Sequence, residues 1–261
     1  MPTREVAAEF DQISDVYDAT REPLDGPTID GLADALRATG AHRILEVGIG
    51  TGRVAKPLIE RGFDITGVEP SRGMFAKARA KGITRIVRGS GYRLPFADGA
   101  FDATLFVHVL HVLDDPPRAL QEAARVGRLG AFALIHPRSD DPSKRRDDSP
   151  RHLIRAILEE QGYTMPARSP PWTKERDLLL RFPPDRMQVV SESDVTEALR
   201  DRIDRLEKRG NRGLLRIPPE VVHRALATAR ERVGDRTVTY HRIEALATWR
   251  AAARPTAAAP A

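Results

Sequence analysis

The run Ile44-Leu45-Glu46-Val47-Gly48-Ile49-Gly50-Thr51-Gly52 sets three glycines on alternate positions directly after a short apolar segment. Glycine lets the main chain approach a ligand where a Cβ would collide, and a turn of this kind after a first strand is where α/β sheets bind nucleotides. The dinucleotide fingerprint needs G-x-G-x-x-G; here the third glycine arrives one residue early, at Gly52, and Arg53 takes its slot. A nicotinamide dehydrogenase is therefore disfavoured. Glu69 stands 21 residues after Gly48, at the end of FDITGVE. A carboxylate there can accept both hydroxyls of an adenosine ribose. His108 closes the apolar run ATLFVHVL and His111 follows one helical turn later. An imidazole of ordinary pKa, about 6.5, can take a proton from a phenol, an enol or an acidic carbon; it can equally line a pocket or satisfy a carbonyl.

Composition removes several chemistries. The 261 residues include no Cys, which excludes disulfides, Cys-ligated metals and thiolate nucleophiles. No metal ligands are assigned from the sequence. The net charge of +5 invites a nucleic-acid reading. Its distribution argues against one: residues 1–37 hold three Arg against nine Asp and Glu, and segments such as RDRIDRLEKR alternate sign as a solvated helix face does. No apolar stretch approaches the ~18 residues of a membrane span. MPTREVAAEF lacks the marks of a secretory signal, so a soluble cytoplasmic protein, monomer or homodimer, acting on a small molecule, is expected.

The elements that must position these residues follow from periodicity. Residues 5–18 space Val6, Phe10, Ile13, Val16 and Tyr17 as an amphipathic helix does, and Thr28 is placed to cap a second helix that Gly40 closes. From His42 to Ala133, five apolar runs (HRILEV, FDITGV, ITRIV, ATLFVHVL and LGAFALIH) alternate with helical patterns, which predicts a parallel sheet covered on both faces. Residues 138–150 read as an exposed loop. A helix over 152–161, a Pro-rich bend at SPPW, a strand at RMQVV, helices near 194–209 and 219–233, a closing segment TVTYHRIEALATW of either type and a frayed tail over 251–261 complete the chain.

LEVGIGTG, then GVEPS with Met74 behind it, LPFADGAFD, and RALQEAARVGRLGAF resemble, in order and over residues 10–137, the successive motifs of class I S-adenosylmethionine (SAM)-dependent methyltransferases, within them the branch acting on small molecules. The resemblance implies a Rossmann-like doubly wound α/β sheet of about seven mostly parallel strands with SAM as cofactor and S-adenosylhomocysteine as product. It implies that Glu46, Gly48, Gly50 and Gly52 surround the methionine and ribose portions, that Glu69 holds the ribose, and that Pro70 and Met74 flank the adenine. It also implies that Tyr17 and Arg21 belong to a helix closing over the cofactor, meeting its carboxylate or the substrate, and that His108 and His111 form the floor beneath the methyl group. One departure stands at Ser90-Gly91, where the family carries an acidic residue in the place of Ser90. A hydroxyl still reaches the adenine amino group, at a loss of ~1 kcal/mol.

The expected layout is a single domain over 1–250. Its core is 28–137 with closing strands near 186–191 and 236–249, and its substrate cap is drawn from 1–25, 138–182 and 192–235. His136, His152, Tyr163, Trp172 and His223 fall on or near that cap, where aromatic rings bury flat ligands. Asp114-Asp115-Pro116-Pro117 resembles an amino-group methylation motif but is followed by Arg118 and starts a helix instead. Oxygen or carbon methylation of a small metabolite is the first expectation. The alternatives are an RNA or protein methyltransferase recruited by a basic surface, and a protein of this fold with other chemistry.

Overall fold

A computed structural model describes residues 4–21, 24–137, 150–163, 175–208, 214 and 217–250. Five short strands, β1 (Arg43–Val47), β2 (Asp64–Glu69), β3 (Ile86–Arg88), β4 (Ala103–Val107) and β5 (Ala131–Ile135), run parallel. Two long strands, β6 (Arg186–Ala198) and β7 (Thr237–Trp249), finish the sheet in the order β3-β2-β1-β4-β5-β7-β6, with β7 antiparallel to both neighbours. The doubly wound α/β sheet of seven mostly parallel strands is therefore present. The central strands are nearly continuous in apolar residues because both faces are covered; all of β5 is buried.

Helices α1 (Arg4–Ile13), α2 (Gly26–Ala38), α3 (Ala55–Glu60), α4 (Arg72–Ala80) and α5 (Pro116–Val126) precede or cross between these strands. On one face Leu32 and Leu36 of α2, Leu58 of α3 and Ala78 of α4 pack on Ile44 and Ile65. On the other, Leu120 and Ala123 of α5 meet Leu45, Val68 and Phe106. The later helices are α6 (Pro150–Glu160), α7 (Glu175–Arg181), α8 (Leu199–Glu207) and α9 (Pro219–Val233). Of these, α6, α8 and α9 share a separate cluster of Ile154, Ile157, Ile203, Val222 and Leu226.

Several boundaries differ from the sequence expectation for physical reasons. The first helix stops at Ile13, where Val16 N–H donates to the Ile13 carbonyl in a tighter turn, and a 3-10 turn covers Asp18–Thr20. Asp25, not Thr28, caps α2 by accepting from Thr28 N–H at 2.8 Å. The closing strand near 186–191 runs on to Ala198, and the helix expected from 194 starts at Leu199. Residues 191–198 are held as strand by pairing with β7, from Ser191↔Glu244 to Ala198↔Thr237, so cross-strand contacts override a helix-compatible pattern. TVTYHRIEALATW is strand throughout. Of the loop expected at 138–150, Pro150 instead opens α6, and 138–149 lie outside the described residues, as do the SPPW bend with Trp172 and the tail.

β5 pairs only with Ala245–Trp249 of β7. The β6/β7 hairpin therefore continues beyond the carboxyl end of β5 as a two-stranded arm, on which α8 and α9 sit. A bulge between Val189 and Ser191 lies against α2, where a Cβ on Gly31 would stand 1.9 Å from the Val190 carbonyl oxygen. Only glycine permits that approach. Among the described residues no helix is long and apolar enough to cross a membrane.

Candidate active site

From β1 the sheet grows one way to β2 and β3, and from β4 the other way to β5. Right-handed crossovers leaving in opposite directions lie on opposite faces, which opens a crevice at the carboxyl ends of β1 and β4. A pocket open to solvent on one side occupies that crevice. It is lined by Glu46, Gly48 and Gly50 from the β1 turn, by Glu69, Pro70 and Met74 after β2, and by Gly91, His108 and Tyr17. Gly52, Ser90, Arg21 and His111 do not line it.

The glycine turn explains itself sterically. Gly48, Gly50 and Gly52 have φ of 73°, 59° and 75°, in the left-handed region that costs a side-chain-bearing residue about 1–2 kcal/mol. A Cβ on Gly52 would fall 2.0 Å from Ile83 Cδ1, so Gly52 lets the turn lie on the core while its neighbours face the cavity. Glu69 braces the turn from β2: one carboxylate oxygen accepts from Gly50 N–H and the other from Ser71 N–H, both at 2.8 Å. Burial first, opposed by those two hydrogen bonds, raises the Glu69 carboxyl to about 7. Glu46 is 2% exposed, and its Oε2 has no hydrogen-bond partner among the described residues. Burial, with the Glu69 charge beside it, pushes its carboxyl up to about 8.

The N-terminal segment covers one side. Asp11 accepts from Ser71 Oγ at 2.5 Å and from Gly73 N–H at 2.8 Å, which ties α1 to the start of α4. Asp18 accepts from Thr51 Oγ1 at 2.6 Å and pairs with Lys81. Tyr17 stands edge-on to Phe10 with ring centroids 6.1 Å apart, and the Arg21 guanidinium carbon lies 4.4 Å above the Tyr17 ring. Ser90 Oγ accepts from Tyr92 N–H at 3.3 Å, which keeps it within its own turn.

His108 sits at φ 51°, the one non-glycine in the left-handed region among the described residues. Such a conformation costs on the order of 1 kcal/mol or more and persists where its surroundings impose it. Burial, then the charges of His136, His111 and Arg53, holds its pKa well below the ordinary histidine value, so the ring is neutral at pH 7. That environment penalises an imidazolium and makes His108 a poor place to leave a proton. Its ring stacks on His136 at 4.1 Å and 8°, and its Nε2 is 3.7 Å from Glu244 Oε2. Glu244 is 1% exposed on its side chain and lies 2.9 Å from His136 Nδ1. His111, His152, Tyr163 and His223 are exposed.

The sequence reading missed Glu244, Asp11, Asp18 and the lining residue Arg53. Glu244 carried a usable signal, a single acid inside the apolar stretch HRIEALATW, where an unpaired carboxylate is expensive. The others depend on distant pairings that no local pattern reveals.

A family model described as a methyltransferase domain matches residues 45–135. Over these residues the chain is similar to methyltransferase domains. The matched segment carries Glu46, Glu69 and His108, whereas Tyr17, Arg21, His136 and Glu244 come from outside it. The demethylmenaquinone methyltransferase of Renibacterium salmoninarum is 35% identical over 143 residues, covering 51% of this chain and 60% of that one. The match thus spans under two thirds of that relative. Beyond the matched segment the likeness is one of fold. The YcgJ protein of Bacillus subtilis superposes with a TM-score of 0.54 at 19% identity, covering 85% of this chain and 98% of that one. The [4+2]-cyclase SpnF gives 0.51 at 18% identity, with 95% and 96% covered.

Proposed function

We propose that this protein is a SAM-dependent methyltransferase that methylates an oxygen or carbon of a small, aromatic or polyketide-like molecule. The observation that carries the reading is the pair of buried carboxylates at the glycine turn. Glu46 Oε2 is buried without a partner, a costly state that a ligand carrying donors or positive charge relieves. SAM has a sulfonium, an ammonium and two ribose hydroxyls. Glu69 spends one acceptor site per oxygen on the main chain and keeps further lone pairs for hydroxyl donors.

On this reading Glu46 and the main chain of Gly48 and Gly50 hold the methionine end, Glu69 the ribose, and Pro70 and Met74 the adenine, with Gly91 giving the base room. Tyr17 closes the site from the α1 side, and Arg21 orders Tyr17 by lying on its ring rather than by reaching the ligand. Bound SAM supplies an electrophilic methyl group. His108, neutral and fixed, orients the acceptor, while apolar walls from Val109, Val112 and Leu113 keep water out. A crevice with apolar walls and a few convergent polar groups suits a small acceptor beside a cofactor, and the demethylmenaquinone methyltransferase relative supports a small aromatic one.

Calorimetric titration with SAM and S-adenosylhomocysteine, followed by a mass search of metabolite extracts for products one methylene heavier, tests this. Binding of both ligands, its loss in Glu69→Ala and a methylated product are expected. Failure of the wild-type protein to bind either ligand, or unchanged binding by Glu69→Ala, overturns the reading.

A further inference from the structure

Three ligand-bearing side chains converge where the sheet meets the hairpin arm. His108 follows β4, His136 follows β5, and Glu244 lies on β7 beside the end of β5, so three adjacent strands deliver them to one spot. Each offers a nitrogen or oxygen, and these atoms lie within 4.8 Å of one another. Two independent features set the cluster apart from an ordinary ion pair. Both ring nitrogens of His108 and both carboxylate oxygens of Glu244 are buried, and apart from the 2.9 Å approach of His136 Nδ1 to Glu244 and the 3.7 Å approach of His108 Nε2 to it they meet no hydrogen-bond partner among the described residues. The His108 main chain is also held in the left-handed region, and its ring lies face to face with His136.

We propose that His108, His136 and Glu244 form a binding site for a divalent first-row transition ion whose open coordination positions face the cavity. Two imidazole nitrogens and one carboxylate form a mixed nitrogen and oxygen donor set for a dication. The nitrogen donors favour zinc, iron, cobalt or manganese over calcium and magnesium, which prefer oxygen throughout. Three protein ligands leave positions free, as in catalytic rather than structural zinc sites. His108 also lines the cavity, so the free positions open toward it. The His136 side chain is 52% exposed and gives the ion a path from solvent. The ligand taken there is a substrate oxygen, a phenol, enol or hydroxyl beside a carbonyl, which on the ion releases its proton to water and is held as the oxyanion. This use of the ion rests on the methyltransferase reading; the site itself does not.

The experiment uses untagged protein, stripped with chelator and titrated with cobalt(II) in the absence of SAM. About one equivalent with a visible ligand-field spectrum is expected for a three-ligand site, and zinc(II) displaces it. His136→Gln and Glu244→Gln should each weaken cobalt binding by at least ~10-fold, while S-adenosylhomocysteine binding, measured separately, is retained and certifies the fold. Nitrogen-15 spectra of the wild-type histidines provide a check that needs no variant: zinc should shift two of the seven. No stoichiometric cobalt or zinc uptake, uptake unchanged in both variants, or shifts in other histidines would overturn the site. Metal uptake without S-adenosylhomocysteine binding would sustain the site and reject the methyltransferase reading.

Discussion

The parallel sheet and the hairpin arm solve the same problem of burying apolar surface in different ways. In the sheet, α3, α4 and α5 lie on strands next to them in sequence, and both faces close over residues such as Leu45, Phe106 and Phe132. In the arm, α6, α8 and α9 pack mainly on one another around Ile154, Ile203 and Leu226. The cavity belongs to the sheet and the N-terminal segment, and among the described residues none that lines it comes from the arm. A fold built this way can keep its ligand cradle while its cap changes.

The sharpest way to break this comparison is to weaken each core alone. Phe132 is 1% exposed, and Phe132→Ala should cost ~3–5 kcal/mol and abolish S-adenosylhomocysteine binding together with global folding. Leu226, 0% exposed, should cost ~3 kcal/mol as Leu226→Ala. That loss should appear as rapid proteolysis within 150–233, with cofactor binding retained. Chemical denaturation read by circular dichroism beside limited proteolysis distinguishes the two. A single cooperative loss in Leu226→Ala would mean that arm and sheet are one folding unit.

The same contrast governs what the sequence disclosed. Strand and helix alternation over 42–133, the glycine turn and Glu69 were legible because each is a local pattern with a local cause. The outlying parts were not. β6 reads as polar and charged over Ser191–Glu197 and becomes strand only through β7, and Glu244 gains its meaning from His108 and His136, which arrive from other strands. Gly52 was legible as a turn residue, but that Ile83 rather than a ligand sits beneath it depends on how α4 packs. Ser90 stood at the expected place in sequence, yet it is Gly91 that lines the cavity, and a Cβ there would fall 2.9 Å from Val47 Cγ1, so glycine lets this turn lie close on β1.

A smaller effect concerns protons in the sheet floor. The Glu46 carboxyl is raised by burial to about 8, so the folded protein keeps a proton that an unfolded Glu releases near its ordinary value. Between those two values the native state binds more protons than the unfolded one, and stability falls as pH rises. Glu46→Gln removes the dependence. Its melting temperature should gain on the wild type progressively from roughly pH 5 to pH 8, and a constant difference would place the titration elsewhere.

The smallest effect separates the N-terminal cover from that floor by the opposite sign. Burial works to raise Asp18, but hydrogen bonds from Lys81 and Thr51, together with the charge of Lys81, outweigh it and hold its carboxyl below the ordinary value. A depressed carboxylate contributes stability above the unfolded pKa and loses it as pH falls, so this contact weakens on acidification where Glu46 gains. The side chains of Asp18 and Lys81 are 41% and 30% exposed, which limits the pair to ~0.5–1 kcal/mol after solvent screening. Asp18→Asn should therefore leave the melting temperature almost unchanged while loosening the segment that carries Tyr17 over the cavity. The expected result is a two- to five-fold (~0.4–1 kcal/mol) weaker affinity for S-adenosylhomocysteine, seen mainly in a faster off-rate and fading at high salt. Unchanged off-rates would mean that Asp11 and Ser71, not Asp18, fix the cover.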